Sequence, residues 1–160
     1  MAAQIARYRS LVERDGGVPR EEAVSLFRLV GRRPDAALVF ADAGRRAARY
    51  AARRVATEAL ARVSPNVLGR RLAARAAGRG AREVFDAELA FTNGLAEARV
   101  VQPVAVDAWP AGEACAFHDA AFAELLRLLT GFEGIMRHVE CRGRGGAACV
   151  WRAIPGGDYE

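Results

Sequence analysis

The sequence predicts an α+β domain, with N-terminal helices packed on an antiparallel sheet and a C-terminal helix and hairpin closing the fold. Three observations carry that expectation. Apolar residues recur with a helical period up to about residue 85. Beyond it, short stretches alternate with a period of two around Gly-containing turns. The last third, Cys115 to Trp151, gathers all three cysteines and both histidines of the chain, and such a cluster of soft ligands points to a metal that pins helix and hairpin together.

Length and composition agree with one globular domain: 160 residues, 52% hydrophobic and 27% charged. No apolar run approaches the roughly 18 residues that cross a bilayer, and the opening MAAQIARYRSLVERDGG lacks the apolar centre of a signal peptide. The expectation is a cytoplasmic protein, where cysteines are reduced and serve as metal ligands or free thiols rather than disulfides. Every one of the 24 basic residues is arginine. Eleven of them lie between Arg45 and Arg82 against a single acid, Glu58, so one region is strongly basic and the remainder mildly acidic.

In chain order, residues 3–14 read as a short helix, ended by Asp15-Gly16-Gly17. Pro19 then sits where a first-turn proline belongs, followed by Glu21 and Glu22 at the positive helix end. This helix runs to about Val30, with Ala23, Leu26, Phe27 and Val30 inward. The next spans about Asp35 to Val55, with Leu38, Ala41, Gly44, Ala48, Ala51 and Val55 on one face and Asp42, Arg45, Arg46, Arg49 and Arg53 opposite. Ser64-Pro65 restarts a helix with N-cap and N1 chemistry. Its inner side carries Leu68, Leu72, Ala76 and Gly80; Arg71, Arg75, Arg79 and Arg82 take another side. These arginine stripes have three readings: a solvated helix face, a surface for anionic lipid or nucleic acid, or a clamp for ligand carboxylates. No aromatic residues alternate with them, which argues against single-stranded nucleic acid.

From about Phe85, residues 88–92 and 98–102 read as paired strands with Asn93-Gly94 opening the turn. Residues 104–106 read as a third, weaker strand after Pro103, and residues 109–112 as a loop. Ala116 to Thr130 is a helix with Phe117, Ala121, Phe122, Leu125, Leu128 and Leu129 inward, terminated by Gly131. Residues 135–141 and 148–154 form a hairpin across Arg142–Gly146.

Cys115 precedes Cys141 by 26 residues, and Cys149 follows eight later. The hairpin brings Cys141 and Cys149 together across its turn, and the helix must hold Cys115 against them. Three thiolates so placed suit zinc. The fourth ligand has three candidates: His138, His118 in a Cys-x-x-His spacing with Cys115, and Glu140. In an ideal strand His138 and Cys141 point to opposite faces, so using both requires a bulge or an early strand end.

This segment resembles the 4-vinyl reductase domain family, whose ending has a ligand residue three before a cysteine, a Gly-containing turn, a second cysteine eight on, and an aromatic. Here those are His138-Val139-Glu140-Cys141 through Cys149-Val150-Trp151, with Gly112-Glu113-Ala114-Cys115 as the upstream element. The resemblance covers residues 20–154, most closely 112–152, leaving 1–19 as a helical extension and 155–160 as a loose tail. Residues 60–82 and Phe117-His118-Asp119-Ala120-Ala121-Phe122 are similar to the bacteriochlorophyll branch of phototrophic bacteria. It implies a structural zinc on Cys115, Cys141 and Cys149, with His138 standing where aromatic-sensing relatives carry Glu.

The resemblance further implies a hydrophobic tetrapyrrole as ligand, a divinyl chlorophyll precursor, bound or delivered in bacteriochlorophyll synthesis with 4-vinyl reduction as the nominal activity. No dinucleotide fingerprint follows a strand, and no flavin or iron–sulfur site is visible, so the residues themselves do not supply a reductant. The expected pocket lies between the helix faces and the sheet, lined by Leu38, Ala41, Gly44, Ala48, Leu72, Ala76 and Trp109, with Arg45, Arg49 and Arg75 for the ligand carboxylate. A pigment-synthesis enzyme, a second copy of the chain and a membrane surface are further candidate partners. The alternative is a sensor of an aromatic or hydrocarbon acting through a protein partner.

Overall fold

Helix α1, Arg20–Gly31, starts where the sequence places it: Pro19 occupies the N-cap with extended backbone, and Glu21 and Glu22 fill the first turn. The computed structural model describes residues 6–8, 10, 17–55 and 67–157. The expected helix 3–14 therefore lies largely outside the described residues, as do the Ser64-Pro65 helix start and residues 158–160. Within α1 Val24 is buried, Phe27 and Val30 pack partly buried against the core as expected, and Leu26 is exposed. Arginines dock this helix: Arg20 pairs with Asp107 at 2.6 Å, and Arg28 donates to the Asp107 carbonyl at 3.1 Å.

Helices α2, Ala36–Val55, and α3, Val67–Phe85, follow. On α2 the small-residue face is buried as its spacing requires, through Gly44, Ala48, Ala51 and Val55, with Phe40 added. Leu38 lies 74% exposed, one residue out of phase with that stripe. On α3 the buried residues include Ala76, Ala77, Gly80, Ala81 and Phe85, with Ala76 and Gly80 on the expected inner side.

The sheet begins with β1, Glu88–Thr92, and β2, Leu95–Val100. Asn93 (φ 52°) and Gly94 (φ 82°) both take left-handed backbone, the requirement of a two-residue hairpin turn. That turn pairs Thr92 with Leu95, so the second strand runs over 95–100 rather than the expected 98–102. The expected strand at 104–106 is instead a short helix, α4, Val104–Ala108. Pro103 is its N-cap and its carbonyl accepts the Val106 amide at 3.0 Å. A proline that cannot donate to a ladder, followed by apolar side chains wanted in the core, decides the apolar run for helix: Ala105, Val106 and Ala108 are buried.

A single 3-10 turn, Glu113–Cys115, leads into α5, Ala116–Thr130, closed by Gly131 at φ 71°. Strands β3, Gly134–Glu140, and β4, Cys149–Pro155, complete a four-stranded antiparallel sheet in the order β1-β2-β4-β3. Beta4 is thus central, and its inward residues Cys149, Trp151 and Ala153 are buried. Helices cover one face of this sheet, so the molecule is α+β as expected.

Helix α5 is the hub. It packs along α2, under α3 and over β3. Phe122, Leu125 and Leu126 are nearly or wholly buried in its centre, and Phe85, Phe117, Phe122 and Trp151 form a chain of edge-to-face rings. The closest approach is at Gly44, where any Cβ would overlap the Phe117 carbonyl oxygen. A glycine is what lets the α2 and α5 backbones meet there.

Candidate metal centre

Strand β3 pairs His138 with Trp151 and then Glu140 with Val150, so Val139 is an extra residue: a β-bulge lies just before the strand ends. This resolves the conflict posed by the spacing, because His138 and Cys141 no longer have to obey one pleat. Cys141 follows the strand, and a 3-10 turn over Arg142–Arg144 carries the chain round to Cys149. The turn is closed by its own backbone: the Cys141 carbonyl accepts from Arg144 and Gly146, both at 3.0 Å. Cys115 arrives from the 3-10 turn that opens α5.

The donor atoms of Cys115, His138, Cys141 and Cys149 all lie within 4.8 Å of one another. These are the residues expected from the sequence, and the group could hold a metal ion. Two observations test the fit. The sulfurs of Cys141 and Cys149 are 3.9 Å apart, and a tetrahedral ion with metal–sulfur bonds of about 2.3 Å needs sulfurs about 3.8 Å apart. Nε2 of His138 is buried with no hydrogen-bond partner, an arrangement that protein interiors rarely leave uncompensated. All three cysteines are buried and free. The donors therefore fit a soft, four-coordinate cation with no position left for substrate.

The surroundings order the ligands. The Arg142 amide donates to the Cys149 sulfur at 3.3 Å, as backbone N–H groups do to a thiolate. The Cys149 thiol is held well below its ordinary value, first by the neighbouring Cys115 thiol and further by the Arg142 amide and Cys141. Cys115 moves the opposite way, raised by the hydrogen bond to Cys149, by burial and by the neighbouring thiolates and Asp119. Asp119 accepts a hydrogen bond from the Trp151 indole at 2.5 Å; burial raises its carboxyl above the usual range, partly offset by Trp151 and by His138.

Sequence reasoning named Gly112 in the upstream element but gave it no place against the sulfurs. It sits at φ 91°, and a Cβ there would come 3.0 Å from the Cys141 sulfur and 3.7 Å from that of Cys115. Gly143 likewise presses on the Pro110 carbonyl. A Gly-x-x-Cys step before a helix carries this signal only once the partner cysteine is placed.

His118, the alternate ligand, lies outside the group. It is buried against Phe117, Phe122 and Trp151, with Nδ1 unpartnered. Burial, then the charge of His138, drives its pKa down to about 3. Glu140 is spent on the turn, accepting the Ala147 amide at 3.1 Å.

The expected pocket is not where the small-residue stripes are. Gly44 and Ala48 are buried where α2 meets α5, Ala76 is buried on α3, Ala41 and Leu72 are half-buried, and Leu38 faces solvent. Small side chains there serve close helix packing instead of leaving space. The Trp109 indole donates to the Phe27 carbonyl at 3.2 Å and covers Gly31, joining α1 to the loop after α4. Among the described residues a groove of about 880 Å³ lies elsewhere, between the first turns of α3, the β1–β2 hairpin and the end of α5. Its apolar walls include Ala73, Phe91, Leu128 and Phe132, and Arg70, Arg71 and Arg127 stand among them. A smaller groove of about 350 Å³ adjoins it through Arg127 and Phe132 and includes Arg45. Arg49 is engaged by buried Glu124 at 3.0 Å, and Arg75 is exposed on α3; neither lines either groove.

Searched against known protein families and against curated proteins, the chain matches none. Among the described residues no helix is long and apolar enough to cross a membrane.

Proposed function

We propose that the chain is a small-molecule-binding domain whose Cys115/His138/Cys141/Cys149 group holds a structural zinc, and whose ligand is a hydrophobic carboxylate of the tetrapyrrole class. The metal follows from the donor set: three thiolates and an imidazole select zinc over harder ions, and four protein ligands suit a structural site. The observation that carries the ligand is the groove between α3, the β1–β2 hairpin and α5. Its volume is within the range of ligand sites, its walls are mainly apolar, and Arg70 and Arg71 make no ion pair among the described residues. Guanidinium groups beside an apolar cleft suit a flat apolar body with a carboxylate tail.

The resemblance of residues 112–152 to the 4-vinyl reductase domain supports a vinyl-bearing chlorophyll precursor as that ligand, bound or delivered rather than reduced by this chain alone. Reduction would need a reductant from another protein. A smaller aromatic, read out by a partner protein, is the competing ligand for the same groove.

Titrating the purified protein with divinyl protochlorophyllide tests the reading. Binding shifts the pigment's absorbance bands with a saturable, micromolar midpoint. Ala73→Trp fills the groove and abolishes the shift, while leaving metal content unchanged. An unshifted spectrum for the wild-type protein, or a shift that survives Ala73→Trp, overturns it.

A further inference from the structure

The tip of the β1–β2 hairpin is an uncharged, exposed segment that shares a groove with the first turns of α3. Residues 89–96 carry no charge between Glu88 and Glu97. Phe91 is 37% exposed and Leu95 47% exposed. The register puts them on opposite faces of the hairpin, Phe91 opposite Ala96 and Leu95 opposite Thr92, so both sides of the tip present an apolar side chain to solvent. Such a tip is a wedge rather than a core face.

Cations stand beside it. Arg70 and Arg71 on α3 and Arg127 on α5 line the same groove as Phe91 and Gly94. Arg127 is neutralised by Glu124, with two contacts at 2.8 and 3.1 Å; Arg70 and Arg71 are exposed and without an ion pair among the described residues. Glu124 is engaged by Arg49 and Arg127, and Glu97 by Arg152 at 2.7 Å. An exposed apolar tip flanked by guanidiniums without an ion pair among the described residues complements an interface with apolar chains below and phosphates above.

We infer that the β1–β2 hairpin tip, with Arg70 and Arg71, is a peripheral docking surface for a bilayer containing anionic lipid. Phe91 and Leu95 enter the headgroup region and the two arginines meet lipid phosphates. The tip borders the large groove, so a hydrophobic ligand could pass between bilayer and groove with little exposure to water. The docking itself stands whether or not that groove takes a pigment.

Co-sedimentation of the full chain, without pigment, tests it on vesicles of phosphatidylcholine alone and of phosphatidylcholine with phosphatidylglycerol. The protein sediments with the anionic vesicles and is released as salt rises from about 0.1 to about 1 M, where the screening length falls from about 10 to about 3 Å. Arg70→Gln with Arg71→Gln lowers partitioning about 30-fold, at about fivefold for each near-surface cation. Phe91→Ser with Leu95→Ser lowers it about tenfold or more. Arg137→Gln, on the opposite edge of the sheet, leaves it unchanged, and the omission of pigment from the assay separates this surface from the pigment reading. Equal sedimentation with both vesicle types, failure to sediment with either, or binding of duplex DNA in place of vesicles overturns the inference. Because the vesicle and salt comparisons use the wild-type chain, they decide it even if a variant misfolds.

Discussion

The ring of His138 stacks on that of Trp151, with centroids 4.6 Å apart and planes 12° from parallel. The pair lies directly cross-strand between β3 and β4. Trp151 is wholly buried and its indole N–H is held by Asp119 on α5. The imidazole therefore rests on a surface fixed from three elements, and the metal centre inherits that orientation. Trp151→Leu removes the platform and leaves Asp119 without its donor. Metal affinity should fall about 10–100-fold, as for other residues that orient ligands, with a stability loss of about 3 kcal/mol for the emptied volume. Competition with a chelator dye and a thermal melt measure the two effects separately.

Cys149 is the thiol on which the group's hydrogen bonds converge. Cys149→Ser should leave the purified protein without stoichiometric metal and lower its melting temperature. His138→Glu should keep the metal, since carboxylate oxygen also ligates zinc, whereas His138→Ala should weaken it. Elemental analysis of the three variants checks this, and full metal content in Cys149→Ser would rule out the four-residue site.

His118 is buried in a ring cluster with its pKa lowered from 6.5 to about 3. Between those values the unfolded chain binds a proton that the folded chain refuses. Stability is therefore fully present above about pH 6.5 and falls as the pH drops toward 3, by up to about 1.4 kcal/mol per pH unit. His118→Phe should flatten that portion of the curve, as read by denaturant melts from pH 7 to pH 4.

Glu124 is lowered below its ordinary 4.5, first by the hydrogen bond from Arg127 and then by that from Arg49. Its contribution is present above that value and is lost as the pH falls through the lower folded value. Glu124→Gln should cost about 1 kcal/mol near neutral pH, a modest figure because both arginines are half-exposed. Denaturant melts at pH 7 and pH 3 should show the wild-type and variant curves converging at the acid end.

Gly44→Ala places a methyl against the Phe117 carbonyl and 3.1 Å from the Ala121 nitrogen. Neither backbone can move without parting α2 from α5. A loss of about 2 kcal/mol or more follows, a fall of roughly 4–8 °C in melting temperature for a chain of this length.

The residues of the candidate metal centre on the hairpin were legible because ligand chemistry is local in type and short in spacing. Cys141, Cys149 and His138 lie within twelve positions on one hairpin, and a hairpin's ends must meet. The helix over Ala116–Thr130 was legible for the same reason, with Gly131 ending it. The strand expected at 104–106 was not, since a short apolar run has no period of its own and Pro103 decided its form.

The sequence alone thus determined the α+β class, most of the described helix and turn positions, and the three cysteines of the cluster, while the choice of His138 over His118 and Glu140 came from the fold. The tertiary structure alone decided which small-residue face is contact and which is cavity. Leu38, Ala41, Gly44, Ala48, Leu72 and Ala76 read equally well as pocket or packing along a helix. Only the approach of α5, close enough to exclude a Cβ at Gly44, makes the α2 stripe packing and leaves the open space to Phe91, Leu128, Arg70 and Arg71. Periodicity reports which side of a helix is apolar, but the volume beyond that side belongs to the partner element.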